Sequence, residues 1–246
     1  FNITTTGGDT FYMGAGRVEV SKDTLKPTDN QILGDILPAL NRAISSTDQR
    51  DITSSCMMAM AKIGKDTEEV KILPVFRERL TRGDQEIRET AALALGLSAQ
   101  TEAVGDLVAL ATDSDQGRSL CDRPQVDDRT RSFAAYGLGL VAYATSDNAI
   151  KKQALEALKK ILEDESISDR NVRVAAINAI GLLRPELSGD GDNSEGKALF
   201  LACMDALEKY WQKELGKGEQ LIQSHCPTST AKLYDQVEDL ESEENA

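Results

Sequence analysis

The sequence predicts an all-α protein, an α-solenoid (superhelix) of about four to five antiparallel helix pairs behind a short irregular or hairpin-like N-terminal segment. Three observations predict it. Aromatic residues make up only 4% of the 246-residue chain, so the core must be built mainly from Leu, Ile, Val, Ala and Met. That composition suits closely packed helices better than a sandwich or barrel. Apolar residues recur at helical spacing over most of the chain. The chain also resembles itself, since "EIRETAALALGLS" (Glu86 to Ser98) returns loosely as "NVRVAAINAIGLL" (Asn171 to Leu183).

Aligning the similar segments on one residue gives Ile52, Ile87, Thr130 and Val172, steps of 35, 43 and 42 residues, the range of two-helix repeats. Counted from that residue, the fourth position on is Cys56, Ala91, Ala134 or Ala176, and the seventh is Ala59, Ala94, Gly137 or Ala179. The eighth is bulky (Met60, Leu95, Leu138, Ile180) and the ninth small (Ala61, Gly96, Gly139, Gly181). Positions 0, 4, 7, 8 and 11 share one helical face and form an apolar stripe. A glycine within a helix costs roughly 1 kcal/mol against alanine. The small ninth position therefore predicts that a neighbouring helix approaches closely enough to offset that cost.

Three copies place Asp three residues before the aligned residue (Asp84, Asp127, Asp169) and Arg one residue after it (Arg88, Arg131, Arg173). The aspartates read as N-caps, satisfying free backbone N–H groups and complementing the helix dipole. The arginines can reach the preceding loop or a neighbouring Asp, so the six residues read as a structural ladder along a stack. The first copy departs from this, with Thr53 in the arginine position and Ala61 for Gly. Partner helices are expected at Gln31–Ile44, Glu68–Leu80, Glu102–Thr112 and Asn148–Leu162, and Glu195–Leu215 reads as the first helix of a fifth unit. "ILP" occurs at Ile36–Pro38 and again at Ile72–Pro74, which supports the period and marks a bend or an effective helix start.

This set of features is an Asp, two residues, an aliphatic residue or Thr, then Arg, followed by paired alanines and Leu-Gly-Leu. It resembles the HEAT-repeat family, and within it the bacterial repeats described as PBS-lyase HEAT-like. The resemblance covers roughly Gln31 to Leu215. It implies an armadillo-like helical stack whose second helices line a concave surface, and a non-catalytic protein–protein interaction scaffold whose partner, another protein, binds on that surface or on an inserted loop. The resemblance also admits a lyase or lyase subunit of the bilin-attachment type and, more remotely, a HEAT-like nucleic-acid-binding protein. A bacterial protein is implied, from the cytoplasm or exported with its signal already removed, since the chain opens on Phe1 rather than Met.

On the helical wheel the sixth position points away from the partner helix and names Met58, Leu93, Tyr136 and Asn178; the second adds Ser54, Glu89, Ser132 and Val174. As an exposed row these are the candidate partner-binding residues, with Glu89 and Leu93 on the outer edge of their helix. The alternative, that the sixth position packs against the adjacent repeat, stands equally. Residues 1–30, polar and rich in Gly and Thr, read as an N-terminal arm or the remnant of a preceding domain, with a short strand or hairpin in "DTFYMGAGRVEV" (9–20). Residues 31–234 are the repeat region. Residues 235–246 form an acidic, disordered tail, with six acidic residues and no basic one. Asp113–Val126 is a long insertion, read as a tolerated loop that could still serve function.

The net charge of −13 argues against sequence-independent nucleic-acid binding, which needs basic surface. The apolar run Phe133 to Ala144 is too short to span a bilayer, so no membrane insertion is expected. A single histidine, His225, excludes multi-histidine metal sites. In "SGDGDNSEG" (188–196), Asp190, Asp192 and Ser194 alternate as calcium ligands would. Glu195 stands where an EF-hand needs glycine and Leu201 where it needs a bidentate glutamate, so a solvated turn is expected. Cys56 and Cys203 lie on apolar helical faces, whereas Cys121 and Cys226 lie in loop-like sequence, free or paired. A His225–Cys226 nucleophile is disfavoured, because adjacent side chains need not face one another. No catalytic residue, cofactor or metal is expected.

Overall fold

The computed structural model describes residues 2–4, 10–12, 26–82, 84–187 and 194–244. It opens on an antiparallel hairpin in which β1 (Asn2–Thr4) pairs with β2 (Thr10–Tyr12), Ile3 standing opposite Phe11. The expected strand is present at Thr10–Tyr12, but its partner is upstream, where β-branched Ile3 and Thr4 favour extended backbone. Residues 13–20 of that expectation lie outside the described residues.

The rest of the regular structure among the described residues is helical. α1 (Asp29–Gln31) begins on a capping box, Thr28 and Gln31 each taking the other's backbone N–H. A π-helical stretch, Ile32–Ile36, leads into α2 (Leu37–Ser46), with Pro38 in its first turn. α3 (Arg50–Ile63) ends on Gly64, whose φ of 62° is the left-handed C-cap that glycine tolerates. α4 (Ile72–Arg82) starts four residues later than the spacing suggests. The ring of Pro74 excludes the carbonyl four residues upstream, and Asp66 Oδ1 accepts the Ile72 N–H at 3.1 Å. The two Ile-Leu-Pro segments thus differ: one marks a helix start, the other follows a π turn.

α5 (Gln85–Leu97) is capped by Asp84, and a 3₁₀ turn at Thr101–Ala103 opens α6 (Val104–Ala111). The insertion is not a loop, for it folds as α7 (Asp115–Cys121). There follow α8 (Asp128–Ala144), α9 (Asn148–Glu163), α10 (Arg170–Ile180), α11 (Ser194–Trp211), α12 (Gln220–Gln223) and α13 (His225–Glu244). Of the acidic stretch expected to be a disordered tail, residues 235–244 continue α13 as helix, and residues 245–246 lie outside the described residues. Glutamate is among the better helix formers, no Gly or Pro follows Pro227, and each added residue extends a helix already nucleated on the core.

Contacts between helices follow a regular order. α3, α5, α8, α10 and α13 pack successively against one another, and each also packs against a companion: α2, α4, α6, α9 and α11 respectively. α6, α9 and α11 touch in turn, and α7 lies on α6 and α4. The bulky eighth positions Met60, Leu95, Leu138 and Ile180 are wholly buried between these helices, each worth about 1.5–3 kcal/mol of removed apolar surface.

The glycines sit where these helices cross. A Cβ on Gly96 would stand 2.3 Å from the Gly137 Cα, and one on Gly181 would stand 2.8 Å from the Ser229 Cα. Gly139 meets Ala179 in the same way. In each case the small ninth position meets the backbone of the next helix, the close approach that its size predicts; for Gly96 and Gly139 the residue met is the seventh of the next segment, a pairing that the sequence did not specify. At the start of the series Ile52 is 41% exposed although the corresponding Ile87, Thr130 and Val172 are buried. No earlier helix of the row precedes α3 among the described residues.

Candidate functional site

The sixth-position row spans four successive helices. Met58 on α3, Leu93 on α5 and Asn178 on α10 are half-buried, and Tyr136 on α8 is 38% exposed. Ser132 is also half-buried, while Val174 is half-buried and packed against the core. Glu89 corrects the expectation of an outer-edge carboxylate, being 2% exposed. Arg129, from the first turn of α8, covers it with an ion pair of 3.0 Å. The position faces the next helix because α8 crosses α5 closely at the Gly96–Gly137 contact, which brings the α8 N-terminal turn over the start of α5.

The six ladder residues divide between capping and bridging. Asp84 Oδ1 caps the Ile87 N–H at 2.9 Å, and Asp169 Oδ1 caps Asn171 and Val172 at 2.7 and 3.3 Å. Asp127 instead accepts Arg88 at 2.9 Å, one rung between successive helices. Arg131 turns elsewhere. Its Nε donates to the carbonyl of Ala111, the last residue of its companion helix α6, and its guanidinium pairs with Asp128 of its own helix at 3.5 Å. Arg173 does both, donating to the Asp164 carbonyl beyond α9 at 3.3 Å and pairing with Glu219 at 3.5 Å.

Glu219 and Ser229 reveal a copy of the motif that sequence alignment missed. Ile222 occupies the aligned position, 50 residues after Val172, with Glu219 three before it, Gln223 one after, and Cys226, Ser229 and Ala231 at the small positions. Gln223 is buried, and its Nε2 donates to the carbonyls of Tyr210, Trp211 and Lys213 at the end of α11. Thr53 Oγ1 approaches the Thr47 carbonyl past α2 at 3.4 Å in the corresponding way. At Thr53, Arg131, Arg173 and Gln223 the residue after the aligned position thus closes the end of the companion helix, whose last carbonyls lack partners within the helix. The signal available in sequence was the small-residue spacing of "IQSHCPTSTAKL"; Glu for Asp and Gln for Arg hid it.

The insertion is held by one carboxylate. Asp113, at φ 52°, accepts Arg118 Nε and Nη2 at 3.1 and 3.0 Å and the Val126 N–H at 2.8 Å. Burial alone would raise the Asp113 pKa, but these bonds and the guanidinium charge outweigh it and hold the carboxyl below its ordinary value. Gly117 lets α7 sit directly on α6, for a Cβ there would stand 2.1 Å from the Ala109 carbonyl oxygen.

All four cysteines are buried and free. Cys121 and Cys226, read from sequence as loop residues, lie at the end of α7 and in the first turn of α13. Burial pushes the Cys121 and Cys226 thiols up to about 11 and Cys203 to about 12, which opposes thiolate formation. Cys226 beside His225 is thus a core thiol. Lys151 is a buried cation whose pKa burial pulls down; its ammonium donates to the Arg184 carbonyl in the turn after α10. Among the described residues no group of three or more His, Cys, Asp or Glu side chains converges as metal ligands would. Asp190 and Asp192 lie outside the described residues, and Ser194 is the first residue of α11. No helix among the described residues is long and apolar enough to cross a membrane.

A cavity of ≈ 240 Å³ between α9 and α11 is lined by Lys159, Lys209, Lys213, Glu163 and Asp205. Its cations already pair with acids, Lys209 with Asp205 at 2.8 Å and Lys159 with Glu156 at 3.4 Å. The sixth-position row therefore remains the candidate surface: apolar and polar side chains open to solvent at one position of four successive helices. Compared with known proteins, the sequence matches no protein-family model and no curated protein.

Proposed function

We propose that the chain is a HEAT-like α-solenoid of five antiparallel helix pairs that acts as a non-catalytic protein–protein interaction scaffold. Its partner, another protein, lies along the row Met58, Leu93, Tyr136 and Asn178. The repeat reading is supported by the recurrence of one contact, ninth position against seventh, from α5 to α13. It is supported also by the residue after the aligned position, which reaches the end of its companion helix at Thr53, Arg131, Arg173 and Gln223. Such architectures add one supersecondary unit at a time and present an extended face to ligands.

The observation that carries the functional reading is that the sixth position stays open to solvent in all four segments. The residues on either side of Leu93, Tyr136 and Asn178 are buried, whereas Met58, Leu93 and Tyr136 keep apolar surface in water. Large side chains of this kind are the ones that anchor interfaces. The test is a double variant, Met58→Glu with Tyr136→Glu, compared with the unaltered chain in capture from the native source. Loss of the captured partner at unchanged thermal midpoint is expected. A fall in the midpoint of several degrees, or undiminished capture, would show that the row serves packing or nothing at all.

A further inference from the structure

A second surface lies at the far end of the helix row, where α11 and α13 meet. A groove of ≈ 250 Å³ there is lined by Met204, Leu207, Trp211, Cys226, Pro227 and Thr230, with Glu208 as its one charged wall residue. Trp211 is the single tryptophan of the chain and is 51% exposed. Along the same two helices Phe200 meets Tyr234 edge to face, ring centroids 5.8 Å apart, and Leu201 is 65% exposed. The exposed large hydrophobics concentrate here: Leu201, Trp211, Leu221 and Tyr234 stand on or beside α11 and α13.

Charge distinguishes the occupants. One wall of the groove is α13, and that helix runs on through a stretch of sequence, Asp235 to Glu244, that holds six acidic residues and no basic one. Glu208 adds an acid within the groove. An apolar trough whose wall continues into an acidic helix is complementary to a segment with an apolar face and cationic flanks. We infer that this groove docks a basic amphipathic helix of a partner protein, with its apolar residues against Met204, Trp211 and Pro227 and its cations toward the exposed carboxylates Glu208 and Asp235. A second copy of this chain, at net charge −13, fits that surface poorly. The inference rests on the scaffold reading only in treating the chain as a binding protein, since it uses a different face.

Trp211 supplies its own readout. The probe is an 18-residue peptide of Leu and Lys with Leu at helical spacing, set beside a scrambled peptide of identical composition and a Leu/Glu peptide of the same pattern. The periodic Leu/Lys peptide is expected to shift Trp211 emission to shorter wavelength and to saturate at one peptide per chain. The scrambled and acidic peptides should bind at least tenfold more weakly. Thr230→Lys, which keeps the tryptophan while placing a cation in the groove, should weaken the first peptide at least tenfold. Tyr136→Lys, on the other surface, should leave it unchanged, so a failure here is separable from a failure of the sixth-position row. Equal binding of the scrambled peptide would reduce the effect to bulk charge attraction and overturn the proposal, as would indifference to Thr230→Lys. Self-association that rises with protein concentration and disappears in Thr230→Lys would assign the groove to a second copy instead.

Discussion

The crossing of α5 with α8 and the groove between α11 and α13 are both places where helices meet, yet they use surface in opposite ways. At the first, Gly96 and Gly137 have surrendered their side chains so that backbones touch, and the polar groups nearby are committed to partners within the fold: Arg88 to Asp127, Arg129 to Glu89. At the second, Met204, Trp211, Pro227 and Thr230 leave a trough with half of the indole in water. A contact built of small residues leaves nothing for a ligand to hold, whereas a contact built of large ones that do not interlock leaves an edge. The search for binding surface therefore belongs where the repeat pattern weakens, not where it is clearest.

Four substitutions bear on that contrast. The largest effect is expected at Gly96→Ala. Its new methyl would meet backbone, which cannot rotate away, and the helices must part; a loss of about 3 kcal/mol in urea unfolding is expected. Gly105→Ala is the internal control, since nothing lies within 4 Å of its added Cβ. There the ordinary helix preference should stabilise the fold by about 0.5 kcal/mol. Equal effects at the two positions would mean that the crossing is looser than the structure has it.

Asp113→Asn tests an intermediate region, the docked insertion. Asparagine tolerates the left-handed backbone and still accepts the Val126 N–H, but it offers Arg118 a single neutral oxygen, so about 1 kcal/mol should be lost at neutral pH. The native carboxyl titrates below its unfolded value of 3.8, so its contribution is complete above that pH. It fades as the pH falls through the lower folded value. The two proteins should therefore converge in stability in acid, and a difference that persists there would place the effect in packing rather than charge. The smallest change is expected from Thr230→Lys, within about 0.5 kcal/mol, because Thr230 is half-buried at the groove and a lysine there can carry its ammonium out to water. A larger loss would turn the groove into a core defect.

The sequence made the helices and their contact rule readable because both depend on local pattern. Small residues at fixed spacing can serve only close approach, and Gly96, Gly139 and Gly181 do so. What could not be read was where long polar side chains end. The ladder pattern leaves Arg131 a choice between the preceding connection and a neighbouring Asp, and only the structure shows that its Nε goes to the Ala111 carbonyl; Glu89 looks exposed on a wheel, yet Arg129 from another helix closes over it. Such outcomes depend on the crossing geometry of helices some forty residues apart. The unit around Ile222 was hidden for a different reason: its contacts survive with Gln223 and Glu219 replacing the charged pair, because what geometry requires there is a donor and an acceptor rather than those residue types. The candidate row was half legible, since its positions follow from the wheel but Glu89 does not belong to it.

The donor that follows the aligned residue has one more consequence. Because Arg131 fastens the end of α6 directly to α8, the length of chain joining those helices does not determine how they sit, and the connection holds an entire extra helix, α7, without disturbing the contact of Gly137 with Gly96. Arg173 and Gln223 fasten α9 and α11 likewise. These connections are where the protein can be lengthened, tagged or given a foreign segment while its register is kept, and where natural variants can acquire new loops at little cost to folding.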